Sequence, residues 1–262
     1  MRVGIIGSGR MGSALATALR EKGGFDVTVT DKEGHKTELL RSRGIAVSTN
    51  NSECVSQNDV AILAVKPADI NSLLDEISGA SEGKLIISIA AGIKLKLLQS
   101  KMPRAKIVRV MPNTPLMVGA GAAAYSLGKK AKEEDAKLVE QIFSSAGICL
   151  PVDEKLLDAV TGLSGCGPAF FYLFVDGMVE QAVELGLDRA TALKLAAQTA
   201  IGAGKMLLEA ELSPQDLIKM VASPGGATEE GLKVLDKKNL KKTIAKAVKA
   251  AAKKSKQLGK TN

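Results

Sequence analysis

The first dozen residues restrict the fold more than any other stretch. Residues 2–7, Arg2-Val3-Gly4-Ile5-Ile6-Gly7, read as a short strand rich in β-branched side chains. Gly7-Ser8-Gly9-Arg10-Met11-Gly12 follows as a glycine turn, and an apolar helix then runs through Leu19. This is G-x-G-x-x-G in the strand–turn–helix setting that binds a dinucleotide. Gly7 permits the tight turn, Gly9 lets a pyrophosphate approach the backbone, and Gly12 allows the helix to pack closely on the strand. Ser8, Arg10 and Met11 complete the loop and count with the glycines as cofactor-binding residues. The second strand, residues 26–30, ends at Asp31-Lys32. An acidic residue there can bond both ribose hydroxyls and favours NADH. Lys32, His35 and Lys36 stand where a 2′-phosphate could be neutralised, which favours NADPH. The sequence leaves that choice open.

Apolar runs recur at α/β spacing over residues 45–48, 60–65, 85–90 and 107–111. Continuous rather than alternating apolar strands imply a parallel sheet covered on both faces, and ligands in such sheets lie at the carboxyl ends of the strands. Ala64-Val65-Lys66-Pro67, Ala90-Ala91-Gly92 and Asn113 therefore join the expected cofactor rim. Runs over 120–126 and 147–152 close the sheet, with an amphipathic helix over 133–143 between them.

Past residue 152 the pattern turns helical. The expected organisation is a Rossmann dinucleotide-binding domain over 1–152 and an all-helical domain over 153–262. Two glycine-rich stretches mark the second part: Leu163-Ser164-Gly165-Cys166-Gly167-Pro168 and Ser223-Pro224-Gly225-Gly226-Ala227-Thr228. Each reads as a tight turn opening a helix, with backbone N–H groups left unpaired for a carboxylate or phosphate. Pro168 starts a helix that is apolar almost all round through Val183. Such a helix needs cover on every side, and a second subunit is the expected cover. Further helices are expected over 187–209, from Ser213-Pro214 with its cap and leading proline, and over 229–235.

Charge and composition narrow the function. Residues 233–262 hold eleven lysines against one aspartate, a local +10, so the rest of the chain carries −2 of the formal +8. Ala, Ile, Val and Leu break the lysines at helical spacing, so the tail reads as an amphipathic helix with a solvated basic face and not as a nucleic-acid site. Aromatic residues make up 3% of the chain and tryptophan is absent, which leaves few stacking platforms for bases. Cys54, Cys149 and Cys166 are widely spaced and odd in number, which argues against a disulfide framework or a zinc site. A single histidine, His35, rules out a Ser-His-Asp triad and a histidine metal site based elsewhere. No export signal and no apolar run of about 20 residues is evident, so a cytoplasmic protein without membrane contact is expected.

Five motifs, in order, resemble the Δ1-pyrroline-5-carboxylate reductases: Gly7-x-Gly9-x-x-Gly12, Ala64-Val65-Lys66-Pro67, Val110-Met111-Pro112-Asn113-Thr114-Pro115, Leu163 to Ala169, and Ser223 to Thr228. The resemblance spans essentially the whole chain. It implies an N-terminal Rossmann domain with a mostly parallel sheet, a C-terminal helical dimerisation domain, and a homodimer or larger homo-oligomer. The implied activity is NADPH- or NADH-dependent reduction of pyrroline-5-carboxylate to L-proline, the last step of proline synthesis. By the same resemblance, Gly225, Gly226, Ala227 and Thr228 hold the substrate carboxylate through backbone N–H groups with help from Ser223. The Thr228 hydroxyl bonds the ring nitrogen, Glu154 stands near substrate or nicotinamide, and Asn51 contacts the cofactor ribose. Cys166 replaces a more usual serine and Phe170 a tyrosine. Two other readings remain: a related reductase of imines or β-hydroxy acids, with Lys194 or Lys205 as acid/base, and a non-catalytic dinucleotide-binding regulator.

Overall fold

In the computed structural model, which describes residues 1–261 apart from the side chains of His35, Lys36, Lys260 and Thr261, the strands are β1 (Arg2–Ile6), β2 (Asp26–Thr30), β3 (Ala46–Ser48), β4 (Val60–Leu63), β5 (Leu85–Ser88), β6 (Lys106–Met111), β7 (Gly121–Leu127) and β8 (Gly147–Pro151). They form one sheet in the order β3-β2-β1-β4-β5-β6-β7-β8. Every neighbouring pair is parallel except β6 and β7, where Val110 lies antiparallel to Tyr125. The helices are α1 (Arg10–Lys22), α2 (Glu38–Ser42), α3 (Asn51–Gln57), α4 (Ile70–Ile77), α5 (Leu95–Lys101), α6 (Glu133–Phe143), α7 (Leu157–Val160), α8 (Gly167–Glu184), α9 (Arg189–Glu209), α10 (Pro214–Val221), α11 (Ala227–Lys237) and α12 (Leu240–Thr261).

The strands read as continuous apolar runs because both faces of the sheet are covered. Ile62, Ile87 and Val108 pack on one face with Leu15 and Leu19 of α1 and Ile142 and Phe143 of α6. Their strand neighbours Leu63, Ile86 and Ile107 pack on the other face with Leu74 and Ile77 of α4 and Leu98 of α5. Strand order reverses between β1 and β4. That reversal opens a crevice at the carboxyl ends of the two strands, the place where doubly wound sheets take ligands.

The chain divides into two compact units: Met1–Cys166 with the chain from Val248 onward, and Gly167–Ala247. The change of sequence pattern at residue 152 lies inside the first unit, because the following segment and the end of α12 pack there. Ser255 on α12 donates a 2.7 Å hydrogen bond to Asp158 Oδ1. A Cβ on Gly162 would stand 2.6 Å from the Val248 carbonyl oxygen, so only glycine admits the helix at this distance. The lysine-rich tail is thus a helix, as its periodicity implies. Its small residues Ala251, Ala252 and Ser255 turn inward, while Lys249, Lys253, Lys254 and Lys256 are exposed.

The first glycine stretch corrects the sequence reading. It is no open turn with free amides: α7 runs through one π-helical turn, Thr161–Gly165, toward α8, and Cys166 N donates to the Thr161 carbonyl at 2.8 Å. Of its two glycines Gly165 serves close packing, while nothing lies within 4 Å of a Cβ on Gly167. A Cβ on Gly165 would meet the Met111 side chain at 2.8 Å. Glu154–Glu184 meets the length and composition of a membrane-crossing helix, a test that core helices of soluble proteins also pass, so the expectation of no membrane contact stands. A break at the glycines would have left two shorter pieces.

In the second unit α8 and α9 pack around Val179, Ala192 and Ala196. That core is small against the large apolar side chains left outside it: Leu173 is 74% exposed and Leu208 77%. Ser213 caps α10 as expected, its side chain accepting from Asp216 N at 3.2 Å.

Gly162→Val should cost about 1–3 kcal/mol, the usual penalty of overpacking, read as a lower urea midpoint. Gly231→Ala, where nothing lies within 4 Å, should not lower it.

Candidate active site

The glycine loop is shaped by backbone contacts that exclude side chains. Gly7 has φ +102°, and its N–H donates to the Thr30 carbonyl at 2.7 Å. A Cβ there would sit 2.8 Å from the Ala64 carbonyl oxygen, and one on Gly12 would sit 1.9 Å from the Gly7 carbonyl oxygen. Gly9 differs: nothing lies within 4 Å of its Cβ position. It caps α1 without a side-chain hydrogen bond, so no side chain of the cap covers the first amides of the helix. Arg10 and Met11 are the first residues of that helix.

The crevice is a cleft of about 290 Å³. Gly7, Gly9, Asp31 and Lys32 line it from the β1 and β2 side, Ala64, Val65 and Lys66 from the β4 side, and Asn51 from the start of α3. Pro67 stands just outside and starts a short helical turn. Asp31 Oδ2 accepts from both the backbone N–H and the hydroxyl of Ser8, each at 2.7 Å. The glycine loop and the end of β2 are therefore tied to each other. Thr30 donates to Asn51 Oδ1 at 2.7 Å, and Asn51 Nδ2 donates to Glu76 at 3.0 Å. Lys32 donates to Asp69 at 3.0 Å, and that hydrogen bond raises its pKa above the ordinary lysine value. The His35 and Lys36 side chains lie outside the described residues. Asp69, Ser72 and Glu76, which also line the cleft, were not apparent in the sequence because Asp69 ends the turn begun by Pro67 and the other two lie on α4, neither with a motif of its own. Their spacing just past Pro67 is the one signal that could have found them.

Other expected rim residues lie elsewhere in the first unit. Ala90, Ala91 and Gly92 do not line this cleft, and a Cβ on Gly92 would meet the Gly259 backbone at 3.3 Å. Asn113 is 9% exposed and donates from Nδ2 to the Ser164 carbonyl at 3.1 Å, while its Oδ1 accepts from Ala122 N at 2.8 Å. Glu154 Oε1 accepts from Leu95 N at 2.7 Å and from the buried guanidinium of Arg109 at 3.1 Å. It thereby caps α5 from a point far along the chain. Among the described residues no cluster of three or more His, Cys, Asp or Glu side chains could hold a metal ion.

In the second unit the Ser223–Thr228 stretch does form a glycine turn at a helix start. Gly226 N donates to the Ser223 carbonyl at 3.0 Å, Gly225 has φ +70°, and α11 begins at Ala227 with Gly226 as its cap. Thr228 and Ser223 are exposed. Two amides of the turn are thus already used, Gly226 N by the Ser223 carbonyl and Gly225 N by Glu229 Oε2 at 2.6 Å.

Comparison with known proteins decides the family. Residues 154–258 match the model of the pyrroline-5-carboxylate reductase dimerisation domain, and residues 2–92 match the model of coenzyme F420-dependent NADP oxidoreductases. The pyrroline-5-carboxylate reductase of Methanosarcina acetivorans is 41% identical over 99% of this chain and 98% of its own. This chain belongs to the pyrroline-5-carboxylate reductase family. The Arabidopsis thaliana reductase is 39% identical over 98% of this chain and 95% of its own. A crystal structure of the Plasmodium falciparum reductase, solved with NADP bound, superposes with a TM-score of 0.89 at 35% identity, covering 99% and 98% of the two chains.

The cleft of this reductase fits a dinucleotide. Gly7 and Gly12 are filled by neighbouring backbone and build the turn, whereas the open space at Gly9 and the uncapped helix start are what a pyrophosphate needs. The two kinds of glycine should separate experimentally. Gly12→Ala should lower the unfolding midpoint, while Gly9→Ala should leave it unchanged and weaken NADPH binding in isothermal titration.

Proposed function

We propose that this reductase converts 1-pyrroline-5-carboxylate to L-proline, and that its residues act as follows. Bound NAD(P)H supplies the hydride that saturates the C=N carbon. The amides opening α1 hold the pyrophosphate, with Gly9 as the point of backbone approach. Asp31 and Asn51 hold the adenosine ribose, and Ala64, Val65 and Lys66 form the facing wall. Asp31 fixes Ser8 at the same time, so ribose binding and loop shape are coupled. Lys32 stands at the same edge within reach of a 2′-phosphate, and both NADPH and NADH are accommodated by this reading.

The substrate falls to the second glycine turn. Gly225, Gly226, Ala227 and Thr228 offer a helix start to the carboxylate, with Ser223 beside them, and the positive φ of Gly225 is what bends the chain so. The Thr228 hydroxyl bonds the ring nitrogen and orients the imine, so positioning accounts for most of the rate. Glu154 acts at one remove: its Oε1 is committed to Leu95 and Arg109, and it holds the chain after β8 in place.

The functional division follows the sequence boundary, with the dinucleotide domain over 1–152 and the dimerising, substrate-binding domain over 153–262; the matched dimerisation model begins at residue 154. A homodimer is the assembly we assign. The observation behind it is the apolar surface of α8 and α9, too large for a core of Val179, Ala192 and Ala196 to explain. The same dimer would cover the long apolar helix without a membrane. Three free cysteines suit a reducing cytoplasm.

Purified protein given pyrroline-5-carboxylate should oxidise NADPH or NADH, followed as loss of nicotinamide absorbance; no oxidation with either would sink the reading. Thr228→Ala should lower turnover by about a hundredfold while the dinucleotide Kd stays constant. In sedimentation velocity the wild type should run as a dimer or larger, and Leu173→Arg should shift it toward monomer.

A further inference from the structure

The π-helical turn Thr161–Gly165 is the least regular piece of helix in the first unit, and it lies at the carboxyl end of β6, the ligand end of the sheet. Four residues beyond Ser164 stands Pro168, which has no N–H. The Ser164 carbonyl therefore lacks its normal helical donor. Asn113 supplies one, its Nδ2 donating to that oxygen at 3.1 Å, and its Oδ1 is held in turn by Ala122 N at 2.8 Å. Partner chemistry forces the amide orientation, because a backbone N–H can only donate and a carbonyl can only accept. On the same side Gly165 lies against Met111, and on the other Gly162 lies against the backbone of α12.

We propose that Asn113 is a positioning residue for the reaction: it holds the π turn by replacing the hydrogen bond that Pro168 cannot make. This rests on the reductase reading and gives Asn113 a role other than direct contact with the dinucleotide. Its side chain is nearly buried and both of its polar ends are used by the protein itself.

Cys166 is a local reporter. Its N–H closes the π turn on the Thr161 carbonyl at 2.8 Å, and it is partly exposed. The other two thiols are buried, and burial pushes Cys54 up to about 11 and Cys149 up to about 12, so neither competes for a thiol reagent at neutral pH.

The test uses Asn113→Asp in the full-length protein. Ionised, the new side chain still accepts from Ala122 but sets a carboxylate oxygen against the Ser164 carbonyl. Protonated, it can donate there again. At about pH 8, alkylation of Cys166 by iodoacetamide, located by peptide mass spectrometry, should be about tenfold faster than in wild type, the factor a lost buried hydrogen bond corresponds to. The ratio to wild type should fall toward one as pH is lowered to about 5, through the raised pKa of the new carboxyl. Turnover should show the same recovery at low pH, with the KM for NADPH unchanged. Equal labelling of variant and wild type at both pH values would overturn the proposal. So would unchanged labelling with weakened NADPH binding, which would make Asn113 a direct cofactor contact. Should Asn113→Asp fail to fold at the higher pH, the added substitution Pro168→Ala decides: it restores an N–H for Ser164, and folding must return with it or the proposal falls. The labelling needs neither substrate nor dinucleotide, so its failure would leave the reductase reading untouched, just as an inactive wild type would leave the clamp untouched.

Discussion

Helix α1 can lie on the sheet only because Gly12 has no side chain. Its Cβ position is 1.9 Å from the Gly7 carbonyl oxygen, a contact no other residue survives. Everything on the cofactor side follows from that approach. The helix start is brought to the carboxyl end of β1, Gly7 is pressed toward the Ala64 carbonyl across to β4, and the crevice between these strands becomes a cleft lined by the same backbone. Asp31 then ties the second strand to the loop through Ser8. The dinucleotide site is thus a by-product of packing a helix too close to a strand, which is why its specificity for residue type falls on glycine and not on charge.

The helical part obeys a different constraint. A helix apolar on all sides cannot be satisfied by one small unit, and the described core of α8 and α9 leaves large side chains such as Leu173 and Leu208 in solvent. Burying such surface against another copy would yield on the order of 25 cal/mol per Å² before association costs, and these helices lie within the matched dimerisation domain.

How much of this was legible depended on sequence separation. Strand–turn–helix signals are local, so β1, the glycine loop, β2 and the helix over Glu133–Phe143 could be read from a few adjacent residues. The carboxylate of Glu154 could not, because it spends Oε1 on Leu95, 59 positions away, and Ser255 bonds Asp158 across 97 positions. Gly165 misled for a physical reason. Glycine marks a turn and it marks close packing, and the two uses look alike until the neighbouring side chain, here Met111, is in place. Asn113 was placed at the ligand end of the sheet by its motif, yet its partner Ser164 lies 51 positions on and was invisible.

A pyrroline-5-carboxylate reductase transfers hydride from the nicotinamide to the imine carbon of its substrate. Isotope tracing addresses it most directly. With NADPH fully deuterated at nicotinamide C4 and unlabelled 1-pyrroline-5-carboxylate, the product should be L-proline carrying one deuterium at the former imine carbon, read by mass spectrometry and NMR. Proline formed without the label, or none formed at all, would contradict it.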